Sequence, residues 1–282
     1  MSNQIAFLGT GSMNGAIMGG LLAGGFPKTD IVATVRRRES ATEIAERYGV
    51  TVMAWEEESD SNAQAARGAS VVVIGVKPVG VAAVAREIAP VLEPGALVVS
   101  VAAAVPIAQL ESELPQGQPV IRTMPNTPAR LGKGVVALSG GTHATREHIA
   151  TIMELFKGLG IVAEVPEEQM EAVGALSGSG PAYVFYLAEA MAKAGEALGL
   201  DPKLSLRLAR ETVVGAGMML AEPGADPVAL RRAVTSPNGT TEQAIRVFDE
   251  RGLPAVIADG AKAASERSRQ ITRELDAARK LD

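Results

Sequence analysis

Short runs dominated by Val and Ile alternate with helix-compatible stretches from residue 4 to about residue 164, and this rhythm constrains the fold more than any other feature of the chain. Ile5–Leu8, Ile31–Thr34, Val71–Gly75, Leu97–Ser100 and Val120–Met124 read as strands. Runs apolar on both faces suit a parallel sheet buried between two helical layers. The segments 13–23, 39–47, 80–91 and 106–113 read as helical crossovers, and a further strand pair near Gly134–Leu138 and Ile161–Val165 completes the sheet. Repeated strand–helix alternation predicts a doubly wound α/β domain with its ligand beyond the carboxyl ends of the strands.

After Pro166 the strand signal fades. Glu167–Ala175, Pro181–Leu198, Pro202–Ala221, Pro227–Val234, Thr240–Arg251 and Leu253–Glu274 read as helices separated by Gly, Pro and Ser clusters. Asp201-Pro202 and Asp226-Pro227 place a capping carboxylate before a Pro at the first helical position, where its missing N–H costs nothing. The expected division is 1–165 for the α/β domain and 166–282 for an all-helical one. The stretch 202–221 carries Val213, Val214, Ala216, Met218, Met219 and Leu220, and is apolar on more than one side. Such a helix needs several partners, either within its own domain or from a second subunit. An oligomer built through the carboxyl-terminal half is therefore expected.

Composition narrows the function. Of 282 residues, 47% are apolar and 21% charged, enough to bury a core, and the net charge is −5. An acidic balance with only one Trp, three Tyr and five Phe argues against a nucleic-acid surface or an anionic-membrane surface. The absence of Cys excludes disulfide scaffolds, thiolate nucleophiles and iron–sulfur clusters. The amino terminus does not read as a signal peptide, and apolar runs such as 70–76 and 96–105 are too short to span a bilayer, so a cytoplasmic protein is expected. His143 and His148 lie in or beside a surface-like segment without metal-ligand spacing, and Glu56-Glu57-Glu58 reads as a solvated face. No metal site is expected.

Gly9-Thr10-Gly11-Ser12-Met13-Asn14-Gly15 follows the first strand and opens a helix, the context in which a glycine-rich turn cradles a pyrophosphate. Gly9 permits the tight turn and Gly11 the close approach of backbone N–H groups. Asn14 stands where a third small residue is usual, so close helix-to-strand packing is expected to run through Gly15. The second strand ends in Arg36-Arg37-Arg38 with no acidic residue before Glu39. Guanidinium groups there suit a ribose 2′-phosphate, which favours NADPH over NADH. With few classical catalytic groups, the chain suits a reaction carried by the cofactor, such as hydride transfer to an already electrophilic carbon. Two Ser/Gly/Pro loops, 177–183 and 236–241, run into helix starts. They read as receptors for a small carboxylate or as capped turns.

Taken in order, the glycine-rich turn, Val76-Lys77-Pro78, Ser100-Val101-Ala102-Ala103, Arg122-Thr123-Met124-Pro125-Asn126-Thr127-Pro128, the Ser177–Tyr183 loop and Val234-Thr235-Ser236-Pro237-Asn238-Gly239-Thr240-Thr241 resemble the pyrroline-5-carboxylate reductase family over nearly the whole chain. The resemblance implies a Rossmann domain followed by a helical dimerisation domain, a homodimer or ring of dimers, and reduction of a cyclic imine acid to L-proline with NADPH or NADH. It assigns Gly9, Gly11, Ser12 and Met13 to the pyrophosphate, and Asn62 to the adenosine ribose or its phosphate. Val76, Lys77 and Pro78 would line the cofactor, with Ala102, Ala103 and Asn126 toward its nicotinamide end. Gly239, Thr240 and Thr241 would receive the substrate carboxylate through backbone N–H groups, the Thr241 hydroxyl would reach the ring nitrogen, and the two loops would bring Ser179 and Ser236 to the substrate. Asn238, where the family usually has Gly, and Arg232, where an acidic residue is common, depart from the pattern. The alternatives are a related imine or β-hydroxyacid reductase, for which Lys193 matches a general acid in residue type only, and a dinucleotide-binding sensor without turnover.

Overall fold

The Val and Ile runs pair into one eight-stranded sheet of order β3-β2-β1-β4-β5-β6-β7-β8. The computed structural model describes residues 4–279. In chain order the elements of the α/β part are β1 (Ile5–Leu8), α1 (Ser12–Ala23), β2 (Ile31–Val35), α2 (Arg38–Tyr48), β3 (Thr51–Ala54), α3 (Ser61–Ala66), β4 (Val71–Ile74), α4 (Val81–Ile88), β5 (Leu97–Ser100), α5 (Ile107–Glu113), β6 (Val120–Pro125), β7 (Gly134–Gly140), α6 (Arg146–Phe156), β8 (Gly160–Glu164) and α7 (Met170–Val173). The helical part adds α8 (Gly180–Ala197), α9 (Pro202–Leu220), α10 (Pro227–Ala233), α11 (Thr240–Glu250) and α12 (Leu253–Arg279).

Period-two alternation sends Ile5, Phe7, Val71 and Val73 to one face, where they pack with Ile17, Met18 and Leu21 of α1 and Ile152 and Phe156 of α6. Ala6, Leu8, Val72 and Ile74 face the other way, onto Ala65 and Ala66 of α3, Val84 and Ile88 of α4, and Leu110 of α5. The sheet is thus covered on both sides, as its two-faced apolar strands require. It is not wholly parallel: β6 and β7 pair antiparallel, Ile121 opposite Gly140 and Pro125 opposite Val136. The connection 126–133 holds one short 3₁₀ helix and is too short for the crossover a parallel pair would need.

Two further differences from the sequence expectation concern local structure. β3 is an additional edge strand, pairing Val32 with Thr51 and Val35 with Ala54. The stretch 167–175 is not one helix. It is a 3₁₀ turn over Glu167–Gln169, then α7, then a π-helical turn over Gly174–Gly178.

The chain divides into two compact units, the first taking residues up to Gly178 together with those from Ala264 on, the second Ser179–Ala263. Residues 166–178 and the carboxyl-terminal part of α12 therefore belong with the α/β sheet, unlike the division at 165/166 read from composition. Within the first unit, Leu275 packs on the α3–α5 core and Thr272 Oγ1 donates to the Ala104 carbonyl at 3.0 Å. In the second unit α8 and α9 meet through small residues: Ser205 Oγ donates to the Ala192 carbonyl at 2.6 Å, and a Cβ on Gly195 would collide with that hydroxyl. Asp201 caps α9 through the N–H groups of Lys203 and Leu204, and Asp226 caps α10 through those of Val228 and Ala229. No helix among the described residues is long and apolar enough to cross a membrane.

Candidate active site

The glycine-rich turn lies where the strand order reverses. β1 pairs with β2 on one side and with β4 on the other, and at such a switch point the carboxyl ends of the strands leave a crevice. Gly9 has φ +74°, and a Cβ there would strike Val76 Cγ1 and lie 3.1 Å from the Val76 nitrogen. Glycine is thus required twice over, by backbone and by space, and the turn is pressed against the Val76-Lys77-Pro78 segment. Gly9 N–H donates to Thr34 Oγ1 at 3.0 Å, and Thr10 N–H to the Thr34 carbonyl at 2.7 Å. A Cβ on Gly11 would meet nothing within 4 Å, so the cradle is open at that point. Gly11 caps α1 without a side chain, and the first turn holds no acidic residue. Unpaired N–H groups and the positive end of the helix dipole make this a receptor for a phosphate. The residues present fit a dinucleotide.

Close packing at the third position does not run through Gly15, whose Cβ would meet only the Tyr48 hydroxyl, at 3.4 Å. Asn14 is buried and its Nδ2 faces the carbonyls of Leu8, Gly9 and Val73 at 3.2, 3.4 and 3.4 Å. Room for it comes from Gly75 at the end of β4.

Asn62 sits in a relay. Thr34 Oγ1 donates to Asn62 Oδ1 at 2.7 Å, and Asn62 Nδ2 donates to Glu87 Oε2 at 3.0 Å. The relay ends at the turn through the Gly9 N–H, so Thr34 and Glu87 belong to the machinery that sets the cradle. The sequence signal for Thr34, a hydroxyl closing an otherwise apolar strand, is visible in retrospect; Glu87 carries none. Arg36 and Arg37 follow β2, exposed, and neither forms an ion pair among the described residues, whereas Arg38 is paired with Glu57 at 3.2 Å.

Beyond β5, Ala102 is buried and Ala103 exposed. The Ala102 N–H donates to Ser100 Oγ at 3.3 Å and Thr123 Oγ1 to the Ser100 carbonyl at 3.0 Å. Ala104 takes a left-handed φ of +61°, and its carbonyl is the one held by Thr272. Asn126 uses both ends of its amide inside the protein: Nδ2 donates to the Ser177 carbonyl at 3.0 Å and Oδ1 accepts from the Val135 N–H at 2.9 Å. Asn126 thereby ties the end of β6 to the π-helical turn. Gly174 and Gly178 seat that turn on Met124: a Cβ added at Gly178 would fall 2.5 Å from the Met124 methyl. Arg122, quoted above only as part of a motif, is buried between Glu167 at 3.1 Å and Glu171 at 3.2 Å. Glu167 also accepts the Ile107 N–H at 2.7 Å, so one carboxylate joins β6, α5 and the segment leading to α7.

In the second unit, the segment 236–241 forms a turn into α11. Asn238 has φ +60°, a left-handed conformation that explains why glycine suits this position. Its N–H donates to Glu242 Oε2 at 2.8 Å. The Gly239 N–H donates to the Ser236 carbonyl at 3.0 Å and is therefore committed to the turn, contrary to its expected role toward a carboxylate. Thr240 and Thr241 occupy the first two positions of α11, where N–H groups have no intrahelical partner. Ser179 precedes α8 and makes no capping bond. Lys193 is exposed and ion-paired with Glu189, which holds its ammonium above the usual lysine range. His148 completes a capping box with Thr145.

Residues 167–271 match the family described as pyrroline-5-carboxylate reductase dimerisation, and residues 4–104 match NADP oxidoreductase, coenzyme F420-dependent. The chain is 41% identical over 273 residues to the pyrroline-5-carboxylate reductase of Pseudomonas aeruginosa, covering 96% of this chain and 98% of that one. The chain belongs to the pyrroline-5-carboxylate reductase family. Among solved structures, the Coxiella burnetii pyrroline-5-carboxylate reductase superposes with a TM-score of 0.88 at 34% identity, covering 96% of this chain and 99% of the other. The Plasmodium falciparum pyrroline carboxylate reductase, solved with NADP bound, gives 0.82 at 25% identity with the same coverage. Family membership spans the sheet, with its open glycine cradle, and the helical unit, and the dimerisation match supports oligomerisation through residues 167–271.

Proposed function

We propose that the enzyme reduces (S)-1-pyrroline-5-carboxylate to L-proline, the final step of proline biosynthesis, with NADPH preferred to NADH. The observation that carries this reading is similarity to reductases of that name across the whole chain, because neither unit alone specifies the substrate. When bound, the reduced dinucleotide supplies a hydride. Backbone N–H groups of Ser12 and Met13, in the turn that Gly9 permits and with the approach left open at Gly11, hold the pyrophosphate, and Arg36 and Arg37 take the 2′-phosphate. Val76, Lys77 and Pro78 line the cofactor along the strand ends; Asn62 stiffens the turn from below. Ala102 and Ala103 border the nicotinamide end, with Asn126 setting the shape of that wall through its two internal hydrogen bonds.

The N–H groups of Thr240 and Thr241 donate to the substrate carboxylate, and Gly239 shapes the turn that presents them. Ser179 and Ser236 add hydroxyls at the two loops. Thr241 Oγ1 would bond the ring nitrogen and relay to it the proton from water that, together with one hydride added at the adjacent carbon, balances the conversion of C=N to CH–NH. A cyclic imine is already electrophilic, so placement is the main demand, and proximity contributes up to about 7–11 kcal/mol in ideal intramolecular cases. Such chemistry needs neither Cys nor a free His. The arrangement we infer is a dinucleotide-binding α/β domain followed by a substrate-binding, dimerising helical domain, assembled as a homodimer or ring of dimers in the cytoplasm, with a small molecule rather than nucleic acid as its partner.

The test is direct. NADPH absorbance is followed after mixing the folded protein with pyrroline-5-carboxylate, and rapid imine-dependent oxidation is expected. Folded protein that binds NADPH and leaves the imine untouched overturns the reading.

A further inference from the structure

We propose that Asn14 and Gly75 act as one coupled positioning pair that fixes the cofactor turn against the ends of β1 and β4. The proposal rests on the dinucleotide reading above. A turn of this kind ordinarily carries a small third residue so that the helix can approach the strand. Here that place is held by a polar side chain only 1% exposed. It fits because the neighbouring strand gives up volume. A Cβ on Gly75 would lie 2.6 Å from Asn14 Oδ1 and closer still to its Nδ2 and Cγ, so the whole amide lies against the Gly75 Cα. Gly75 adopts no left-handed backbone conformation, so the demand for glycine there is one of space alone.

The amide does more than fill that space. Asn14 Nδ2 faces the carbonyls of Leu8, the last residue of β1, and Gly9, the first of the turn, and that of Val73 on β4. The Leu8 carbonyl also accepts the Gly75 N–H at 2.8 Å, so both members of the pair grip the same oxygen. The Gly9 carbonyl accepts the Gly11 N–H at 3.0 Å. Holding that carbonyl fixes the peptides whose N–H groups face the pyrophosphate. Asn14 Oδ1 is buried without a hydrogen-bond partner among the described residues. An amide kept buried with one end unpaired is a costly way to fill a hole, which points to its donor as the useful part. A turn fixed in advance binds its ligand with less ordering to do.

Four variants test the pair, with NADPH affinity read by energy transfer from Trp55, the chain's single tryptophan, without turnover. N14G keeps the space and loses the tether; its NADPH Kd rises about tenfold, with KM for the imine within about twofold of wild type. N14L fills the space without donating and weakens NADPH at least as much. G75A binds NADPH worse than N14G or fails to fold. In the N14G background the same G75A change costs less than about threefold, because the amide it would strike is gone. Three results overturn the proposal: an N14G or N14L affinity within about twofold of wild type, equal rises in both KM values, or a G75A penalty, unfolding included, that persists undiminished in the double variant. A wild-type chain that binds NADPH yet leaves the imine unreduced overturns the substrate reading alone. An unchanged N14G affinity in an active enzyme overturns the pair alone.

Discussion

A threonine at the second position of a helix offers a ligand two different groups, a backbone N–H without an intrahelical partner and a hydroxyl, and Thr241 holds that position in α11. Substitution by Ala removes only the hydroxyl, leaving the backbone N–H that we propose receives the substrate carboxylate. Thr241→Ala is therefore expected to lower kcat by roughly 100-fold, the lower range for positioned proton transfer, with NADPH affinity within about twofold of wild type. Thr241→Ser should recover most of the rate. Comparable losses in kcat and NADPH affinity would remove the hydroxyl from the chemistry. The arginines after β2 make a complementary case, since the role proposed for them concerns cofactor choice and not turnover. Arg36 and Arg37 are exposed and without ion pairs among the described residues, so no internal contact is lost with them. The double change Arg36→Ala, Arg37→Ala is expected to narrow the ratio of kcat/KM for NADPH over NADH by tenfold or more, since hydrogen bonds to charged groups contribute about 1.5–3 kcal/mol each. The NADH value itself should stay nearly constant; an unchanged ratio excludes both residues from 2′-phosphate recognition.

Among the elements, the junction between β6 and α7 depends on one buried cation. Arg122 is enclosed and holds two carboxylates, one of which also caps α5 through Ile107. Replacing it by Met leaves Glu171 and part of Glu167 without a counter-charge. Breaking a buried pair costs about 3–5 kcal/mol, and the third of Glu167 that is exposed puts this case near 3. A loss of that size lowers Tm by roughly 6–12 °C in a domain of 150–250 residues, measurable by thermal melting. A shift of only a degree or two would show the cluster to be solvated in practice. This junction also marks where sequence reading stops. Strands apolar on both faces announce burial through composition alone, which is why β1, β4 and β5 were legible. β3 was not: its four residues, between the left-handed Gly49 and the Glu56–Glu58 run, are too few to set up a readable alternation. The direction of β7 depends on loop length and pairing, which local periodicity does not record. Residues 167–178 have helical composition, yet their 3₁₀ and π turns follow from Arg122 and Met124, contacts made across the fold. The glycine cradle was readable as a local motif. Gly75, which makes room for Asn14, and Glu87, which ends the Asn62 relay, were not, because each partnership joins positions far apart in the chain.

For the whole molecule, the contrast between the two units sets the state of assembly. The sheet buries large side chains such as Phe7, Ile17 and Phe156 completely. The helical unit buries Ala192, Ser205 and Ala209 among its described residues, while Phe185, Tyr186 and Met218 are each about 70% exposed. Apolar area on that scale marks an interface between proteins, and the family match over 167–271 identifies the partner as a second copy. A unit without large buried side chains draws its stability from that partner, so dissociation and unfolding of the helices should coincide. The double change Phe185→Glu, Met218→Glu is expected to reduce the sedimenting mass to that of one subunit, to lower helical content in the same concentration range, and to abolish imine reduction. Ile161→Glu, on the edge strand β8 and 64% exposed, places the same charge on an apolar site of the first unit and should leave mass and turnover unchanged. If the double variant sediments as wild type, the exposed stripe on α8 and α9 is not the assembly surface. If it becomes a folded, active monomer, the helical unit is self-sufficient, and coupling between assembly and folding is lost even though the interface is correctly placed.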